Sequence, residues 1–144
     1  MNKTYTYPYP RPMVCTDCIV ISEDNGQKKI LLIKRGNDPY KGTWALPGGF
    51  VEMEEDLEDA AIRELEEETG IKLSSMFQFA AYGKPGRDPR GRTISVVFYH
   101  ISDSLPQVSA GDDATEANWF ELDKLPELAF DHEMIIGDFI KATL

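Results

Sequence analysis

Seventeen residues, Glu52 to Glu68, carry ten acids and a single base, Arg63, for a local charge of −9. The whole 144-residue chain is −10, so the remaining 127 residues sum to about −1. Like charge at this density opposes folding by self-repulsion unless something cationic offsets it. A plain acidic run is often a solvated tract. Here the acids alternate with Leu57, Ala60, Ala61, Ile62 and Leu65, so the segment can pack as an amphipathic helix. An ordered acidic helix that packs against a core implies a divalent metal ion.

Helical geometry divides the acids. At about 100° per residue, Glu64, Glu67 and Glu68 fall on one stripe at i, i+3 and i+4. Ala61, Ile62, Leu65 and Thr69 form the adjoining core face. The stripe therefore borders the buried face, where its carboxylates are partly desolvated. Mg²⁺, or Mn²⁺, prefers carboxylate and water oxygens. Arg63 is four residues from both Asp59 and Glu67 and can hold a carboxylate in place. Asp56 can cap the helix, Asp59 sits at the capping-box position, and Gly70 suits the residue past the end. Upstream, Pro47-Gly48-Gly49 lets backbone approach the helix and leaves a carbonyl free to act as a ligand.

The rest of the chain reads as strands with a second helix. Met13–Ser22 and Lys28–Lys34 are β-rich and joined through Asn25-Gly26, a hairpin signal. Gly36–Gly49 is a loop with a short strand at Trp44-Ala45-Leu46. Ile71–Tyr82 is mostly strand, Gly83–Gly91 a basic loop, and Thr93–Ser102 a strand. Gly111–Ala117 is an acidic loop leading into Asn118–Leu122, and Asp131–Ala142 has helical spacing. Strands interspersed with two helices give an α/β or α+β architecture. The expectation is one domain over residues 1–144, with 1–11 as an N-terminal arm.

Composition excludes several classes. No run approaches the roughly 20 apolar residues of a membrane span. The N-terminus lacks the apolar stretch of a signal peptide, which points to the cytoplasm. A pI near 4.6 gives no general attraction for nucleic acid. Cys15 and Cys18 lie three apart on a strand and face opposite ways, so they neither chelate one ion nor form a disulfide.

The acidic segment resembles a Nudix box, G-x5-E-x7-R-E-U-x-E-E-x-G-U, with U aliphatic. Gly49, Glu55, Arg63, Glu64, Leu65, Glu67, Glu68, Gly70 and Ile71 fill all nine specified positions over 23 residues. The resemblance implies an α/β/α sandwich around a mixed β-sheet. It implies Mg²⁺-dependent hydrolysis of a nucleoside diphosphate linked to another group, with a homodimer plausible. By position, Glu67 and Glu68 would be metal ligands, Glu64 a ligand or general base, and the Gly48 carbonyl a further ligand. Glu55 and Arg63 would orient the others. Met53-Glu54 stands where the family often has Pro-Gly, in an unspecified part of the box.

Beyond the box, G-R-D-P-R-G-R-T-I-S-V-V-F-Y resembles the ADP-ribose pyrophosphatase branch, as does Pro85, 14 residues past Ile71. The resemblance implies ADP-ribose as substrate, cleaved to AMP and ribose 5-phosphate. The same segment resembles Nudix-related regulators that sense ADP-ribose. A house-cleaning triphosphate hydrolase is a further alternative. Candidate phosphate contacts are Arg35, Arg87, Arg90 and Arg92, because Arg suits bidentate contact. Base platforms are Phe50, Trp44 and Tyr99. Glu116 in the acidic loop is the alternative base to Glu64, with Asp113 behind it. His100 and His132 have no matching partners and no expected catalytic role.

Overall fold

The computed structural model describes residues 3–144. Strands β1 (Met13–Asp24) and β2 (Gln27–Arg35) form the expected hairpin and run up to the turn itself. Asp24 pairs with Gln27, leaving Asn25 and Gly26 as the turn, at φ 52° and 76°. Left-handed values at both positions match the twist of paired strands.

The two strands pair only near this turn, from Ile21–Asp24 against Gln27–Ile30. Beyond it they diverge, and two short strands fill the wedge. β3 (Trp44–Ala45) pairs with β2 and β4 (Gly48–Phe50) pairs with β1. The single strand expected at Trp44–Leu46 is thus two, with Leu46 and Pro47 between them; the Pro47 carbonyl accepts from the Cys18 N–H at 2.8 Å.

The helix α1 (Leu57–Thr69) follows, capped by the Asp56 carboxylate and ended by Gly70 at φ 79°. Between α1 and β5 (Phe77–Tyr82) the chain is not strand as expected. Ile71 and Met76 instead pack into the α1 core, and Glu58 accepts the Met76 N–H at 2.9 Å. β6 (Thr93–Ser102) runs parallel to β1, with β5 antiparallel on its outer side. β7 (Ala114–Glu121) lies antiparallel on the far side of β2, and α2 (His132–Thr143) closes the order.

Alternate strand residues serve the two helices. Cys18, Val20, Leu31, Val96 and Phe98 pack with Ala61 and Leu65 of α1. Ile19, Ile21, Ile30, Leu32 and Val97 pack with Ile135, Ile136 and Phe139 of α2. Burying each large aliphatic side chain stabilises by roughly 1.5–3 kcal/mol. The mixed sheet therefore lies between the helices, an α/β/α sandwich. Both cysteines are buried free thiols. No helix among the described residues is long and apolar enough to cross a membrane.

Candidate active site

Divergence of β1 and β2 opens a cavity of about 420 Å³, within the usual size range of small-molecule sites. Its walls come from Cys15 and Asp17 on β1, Ile33 and Arg35 on β2, Gly48–Phe50 on β4, and Arg63, Glu64 and Glu68 on α1. Loops add Arg87, Asp88, Arg90, Asp112, Asp113 and Phe130.

One wall is anionic. Glu68 is 7% exposed, and its Oε1 accepts the Gly48 N–H at 2.7 Å. Burial pushes its carboxyl up to about 8, and Glu64 and Asp17 add to the rise. Burial also raises Glu64, against the hydrogen bond it receives from Arg63. A Cβ on Gly48 would collide with the Thr16 carbonyl, and one on Gly49 would lie 2.5 Å from the Glu64 carboxyl carbon. Backbone and acid therefore meet only because both positions are glycine. Gly49→Ala is expected to displace Glu64 and lower turnover about 10- to 100-fold, the range for misplaced support of a metal site. Steady-state kinetics with unchanged circular dichroism would show it, and full activity would refute it.

Arg63 organises the remaining acids. Its Nε and Nη2 donate to Glu55 at 2.6 and 2.9 Å, and its Nη1 to Glu64 at 2.8 Å and to Glu67 at 3.3 Å. The hydrogen bond from Arg63 holds Glu55 below its ordinary range. Glu55 also accepts the Glu52 N–H at 3.1 Å, which closes the turn before α1. Asp59, the other partner expected for Arg63, is not used. Glu67 is turned toward Arg63 and stands outside the cavity wall.

The opposite wall is cationic. Arg90 pairs with Asp88, its Nη2 at 2.7 Å. Burial raises Asp88, but the hydrogen bonds from Arg90 outweigh it and leave the acid below its ordinary value. Arg35 donates from Nε to the Pro39 carbonyl at 2.8 Å. Arg87 spans Asp131 with Nε at 2.8 Å and Nη2 at 2.7 Å. It lines the cavity, but its guanidinium is committed to α2 and is not free for phosphate.

Like Glu55 and Glu67, two further candidates are not part of the cavity lining. Glu116 sits on β7 opposite Lys34 and pairs with its Nζ at 3.3 Å, outside the cavity. The acidic loop is shorter than expected, because β7 begins at Ala114; Asp112 and Asp113 are the loop acids that reach the wall. Arg92 is also outside, donating to the Gly83 carbonyl. Of the proposed platforms, Phe50 lines the cavity. Trp44 packs edge-on against Phe120, and Tyr99 lies tilted against Phe139.

Asp17, Asp88, Phe130 and His132 line the cavity without being anticipated. Asp17 carried a signal: it is a lone acid inside an apolar strand, where charge is rare unless partnered. It accepts from the Ser95 hydroxyl. Asp88 was legible as an Asx turn, accepting the Arg90 N–H at 2.9 Å. His132 accepts the Leu46 N–H at Nδ1, 3.0 Å, so its proton is on Nε2, 3.8 Å from Asp17. Burial lowers its pKa and keeps it neutral. It pins the turn between β3 and β4. The Cys15 thiol is pushed up to about 12, by burial first and then by Asp17, so it is no nucleophile.

The sequence model of the NUDIX domain matches residues 11–142. The chain belongs to the Nudix family. This Nudix chain is 52% identical over 134 residues to an ADP-ribose pyrophosphatase of Methanocaldococcus jannaschii, covering 92% of this chain and 76% of that protein. It is 38% identical over 132 residues to an ADPR responsive transcriptional repressor, NtrR, of Acinetobacter baylyi. That match covers 89% of this chain but only 53% of the repressor. The NUDIX domain of Shewanella oneidensis NrtR, solved with ADP ribose, superposes with a TM-score of 0.89 at 26% identity. It covers 96% of this chain and 94% of that one.

The α1 carboxylates fit a hard divalent cation by donor type. Glu64 and Glu68 are raised by burial, a cost that a bound cation would offset. Among the described residues no three acidic, cysteine or histidine side chains converge as a ready-made cluster. The hydrogen bonds explain this: Arg63 holds Glu67 and Glu64, and the Gly48 N–H holds Glu68.

Proposed function

We propose that this single-domain chain hydrolyses ADP-ribose to AMP and ribose 5-phosphate with Mg²⁺, Mn²⁺ serving in its place. The observation that carries the reading is the cavity's polarity: Glu64 and Glu68 on one wall, Arg35 and Arg90 on the other. A nucleoside diphosphate linked to a sugar needs both. Its diphosphate calls for a cation at the acids and for guanidinium donors opposite. Glu64, Glu68 and the Gly48 carbonyl would hold the ion, and Glu67 would join them by turning from Arg63; the ion would neutralise the diphosphate and acidify a bound water. Arg63 and Glu55 fix the ligand carboxylates, Arg35 and Arg90 bind phosphate oxygens, and the face of Phe50 takes the base. The proton of the attacking water goes to Glu64 or Asp113. Glu64→Gln and Asp113→Asn separate them, since loss of the base flattens the alkaline-rising limb of the pH–rate profile.

The reading includes a cytoplasmic setting and no nucleic-acid partner, in keeping with a net charge of −10. It includes a homodimer formed through the arm, where Tyr5 and Tyr9 are exposed. Sedimentation of the full chain beside one lacking residues 1–11 tests the dimer.

The deciding experiment incubates the protein with Mg²⁺ and a nucleotide panel. AMP from ADP-ribose supports the proposal. Pyrophosphate from a triphosphate would replace it with the house-cleaning reading. Binding without turnover would favour a sensor, the role in the name of the Acinetobacter baylyi repressor; the completely filled box supports the enzyme.

Metal binding should also release protons. With Glu68 raised to about 8, the metal-free protein at pH 7 is mostly protonated there, and a ligand must be ionised. Mg²⁺ affinity is expected to rise with pH and level off above about pH 8. Calorimetric titration in two buffers of different ionisation enthalpy checks it; no proton release at pH 7 would refute it.

A further inference from the structure

Four side chains on the cationic wall stack in alternation. The Arg90 guanidinium carbon lies 5.0 Å from the centroid of Phe50 and 5.0 Å from that of Phe130. The Arg35 guanidinium carbon lies 5.0 Å from Phe130 on its own account. The order is Phe50, Arg90, Phe130, Arg35, each contact within cation–π range.

The cations in this ladder are unequal. Arg90 is bound by Asp88, as Arg87 is by Asp131 and Arg63 by Glu55 and Glu64. Among the described residues no carboxylate forms an ion pair with Arg35; its polar partner is the Pro39 carbonyl. Burial first and then the nearby Arg90 lower its pKa, outweighing the charges of Glu68, Asp88 and Asp113. Arg35 is thus the cavity arginine that no carboxylate pairs with, whereas Arg90 gives Nε and Nη2 to Asp88 and keeps Nη1 for a ligand.

Phe130 holds an unusual backbone to be there. Its φ is 53°, a left-handed value that a bulky side chain rarely adopts. Hydrogen bonds on either side impose it: the Ala129 N–H donates to the Trp44 carbonyl at 2.8 Å, and the His132 N–H to the Ala129 carbonyl at 3.1 Å. Tyr40 packs against the ring at 4.9 Å. Backbone strain retained at a cavity wall points to function.

We propose that Phe130 is a positioning residue that holds Arg35 against the anionic groups of a nucleoside diphosphate. This rests on the reading that the cavity takes such a ligand. Phe130 acts through Arg35, so the two should not behave independently.

The test is equilibrium titration with ADP in EDTA, where neither metal nor turnover contributes. Phe130→Leu and Arg35→Gln are each expected to weaken ADP about tenfold, the scale of one charge-assisted contact. The double variant should be within about twofold of either single, because the pair shares one contact. Phe130→Tyr should stay within about twofold of the parent, since its ring still stacks. In steady-state kinetics with ADP-ribose, Phe130→Leu should raise KM more than it lowers kcat. Phe130→Gly, which relieves the left-handed backbone, replaces the leucine variant if that one does not fold. Unchanged ADP affinity, additive loss of about a hundredfold in the double variant, or a parent that does not bind ADP overturns the inference. A parent that binds ADP but releases no AMP from ADP-ribose fails the proposed function alone.

Discussion

Glu68→Gln is expected to lower ADP-ribose turnover about a thousandfold while leaving the metal-free protein as stable as the parent or more so. The activity loss follows from removing an anionic oxygen donor. Metal stabilisation of transition-state charge is worth several kcal/mol, and about 4 kcal/mol is a thousandfold. The stability gain follows from burial. Glu68 is 7% exposed and pushed from its ordinary 4.5 up to about 8. A carboxyl whose folded pKa is raised binds its proton more tightly in the native state. Its contribution is fully present below about 4.5 and is lost as pH rises through about 8. The parent without metal should therefore lose stability across that window, and the amide variant should not. The amide oxygen can still accept the Gly48 N–H. Kinetics with Mg²⁺ and thermal melts in EDTA at pH 6 and pH 9 test both halves. Near-normal turnover would remove Glu68 from the metal set. A variant less stable than the parent at pH 9 would refute the burial argument. Opposite effects on activity and stability are the usual mark of a functional group held at a cost.

Most of the scaffold and the anionic wall were legible because their signals are local. Asn25-Gly26 sets a two-residue turn by backbone sterics alone. The spacing of Glu64, Glu67 and Glu68 sets their common stripe, and two adjacent glycines mark where backbone must touch it. What was not legible depends on partners distant in sequence. The wedge between β1 and β2, filled by β3 and β4, exists only once the sheet is assembled. Glu116 falls outside the cavity because β7 starts at Ala114 and pairs Glu116 with Lys34. Where a strand starts is the least local property of a sequence, and register decides the face of every residue. The three arginines between β5 and β6 are indistinguishable in sequence. Structure separates them by partner: Asp131 for Arg87, Asp88 for Arg90 and the Gly83 carbonyl for Arg92. Phe130 carried no signal, since an apolar residue ahead of a helix is ordinarily core.

Arg87→Ala is expected to destabilise the fold by about 3 kcal/mol or more, although the residue lines the cavity and resembles a phosphate ligand in sequence. Its side chain is 4% exposed and that of Asp131 16%. Removing one member of a buried pair leaves an uncompensated charge, at about 3–5 kcal/mol. An exposed pair would contribute about 1 kcal/mol or less. The pair also has an architectural task. Asp131 stands at the start of α2 but makes no capping hydrogen bond there, because both its oxygens go to Arg87. The loop before β6 is thereby tied to the start of α2, and the loop's Arg90 is set against Phe50 and Phe130. Replacing both partners by apolar residues, Arg87→Met with Asp131→Leu, should recover most of the lost stability, since apolar replacements of buried pairs are often neutral or better. Urea denaturation measures both variants. A loss below about 1 kcal/mol for Arg87→Ala would make the pair a surface contact. The double variant also separates scaffold from ligand contact. If Arg87 only ties loop to helix, the restored fold should bind ADP within a few-fold of the parent. A stable double variant that loses ADP affinity about tenfold or more would return Arg87 to the phosphate contacts, since that is the scale of one charge-assisted hydrogen bond.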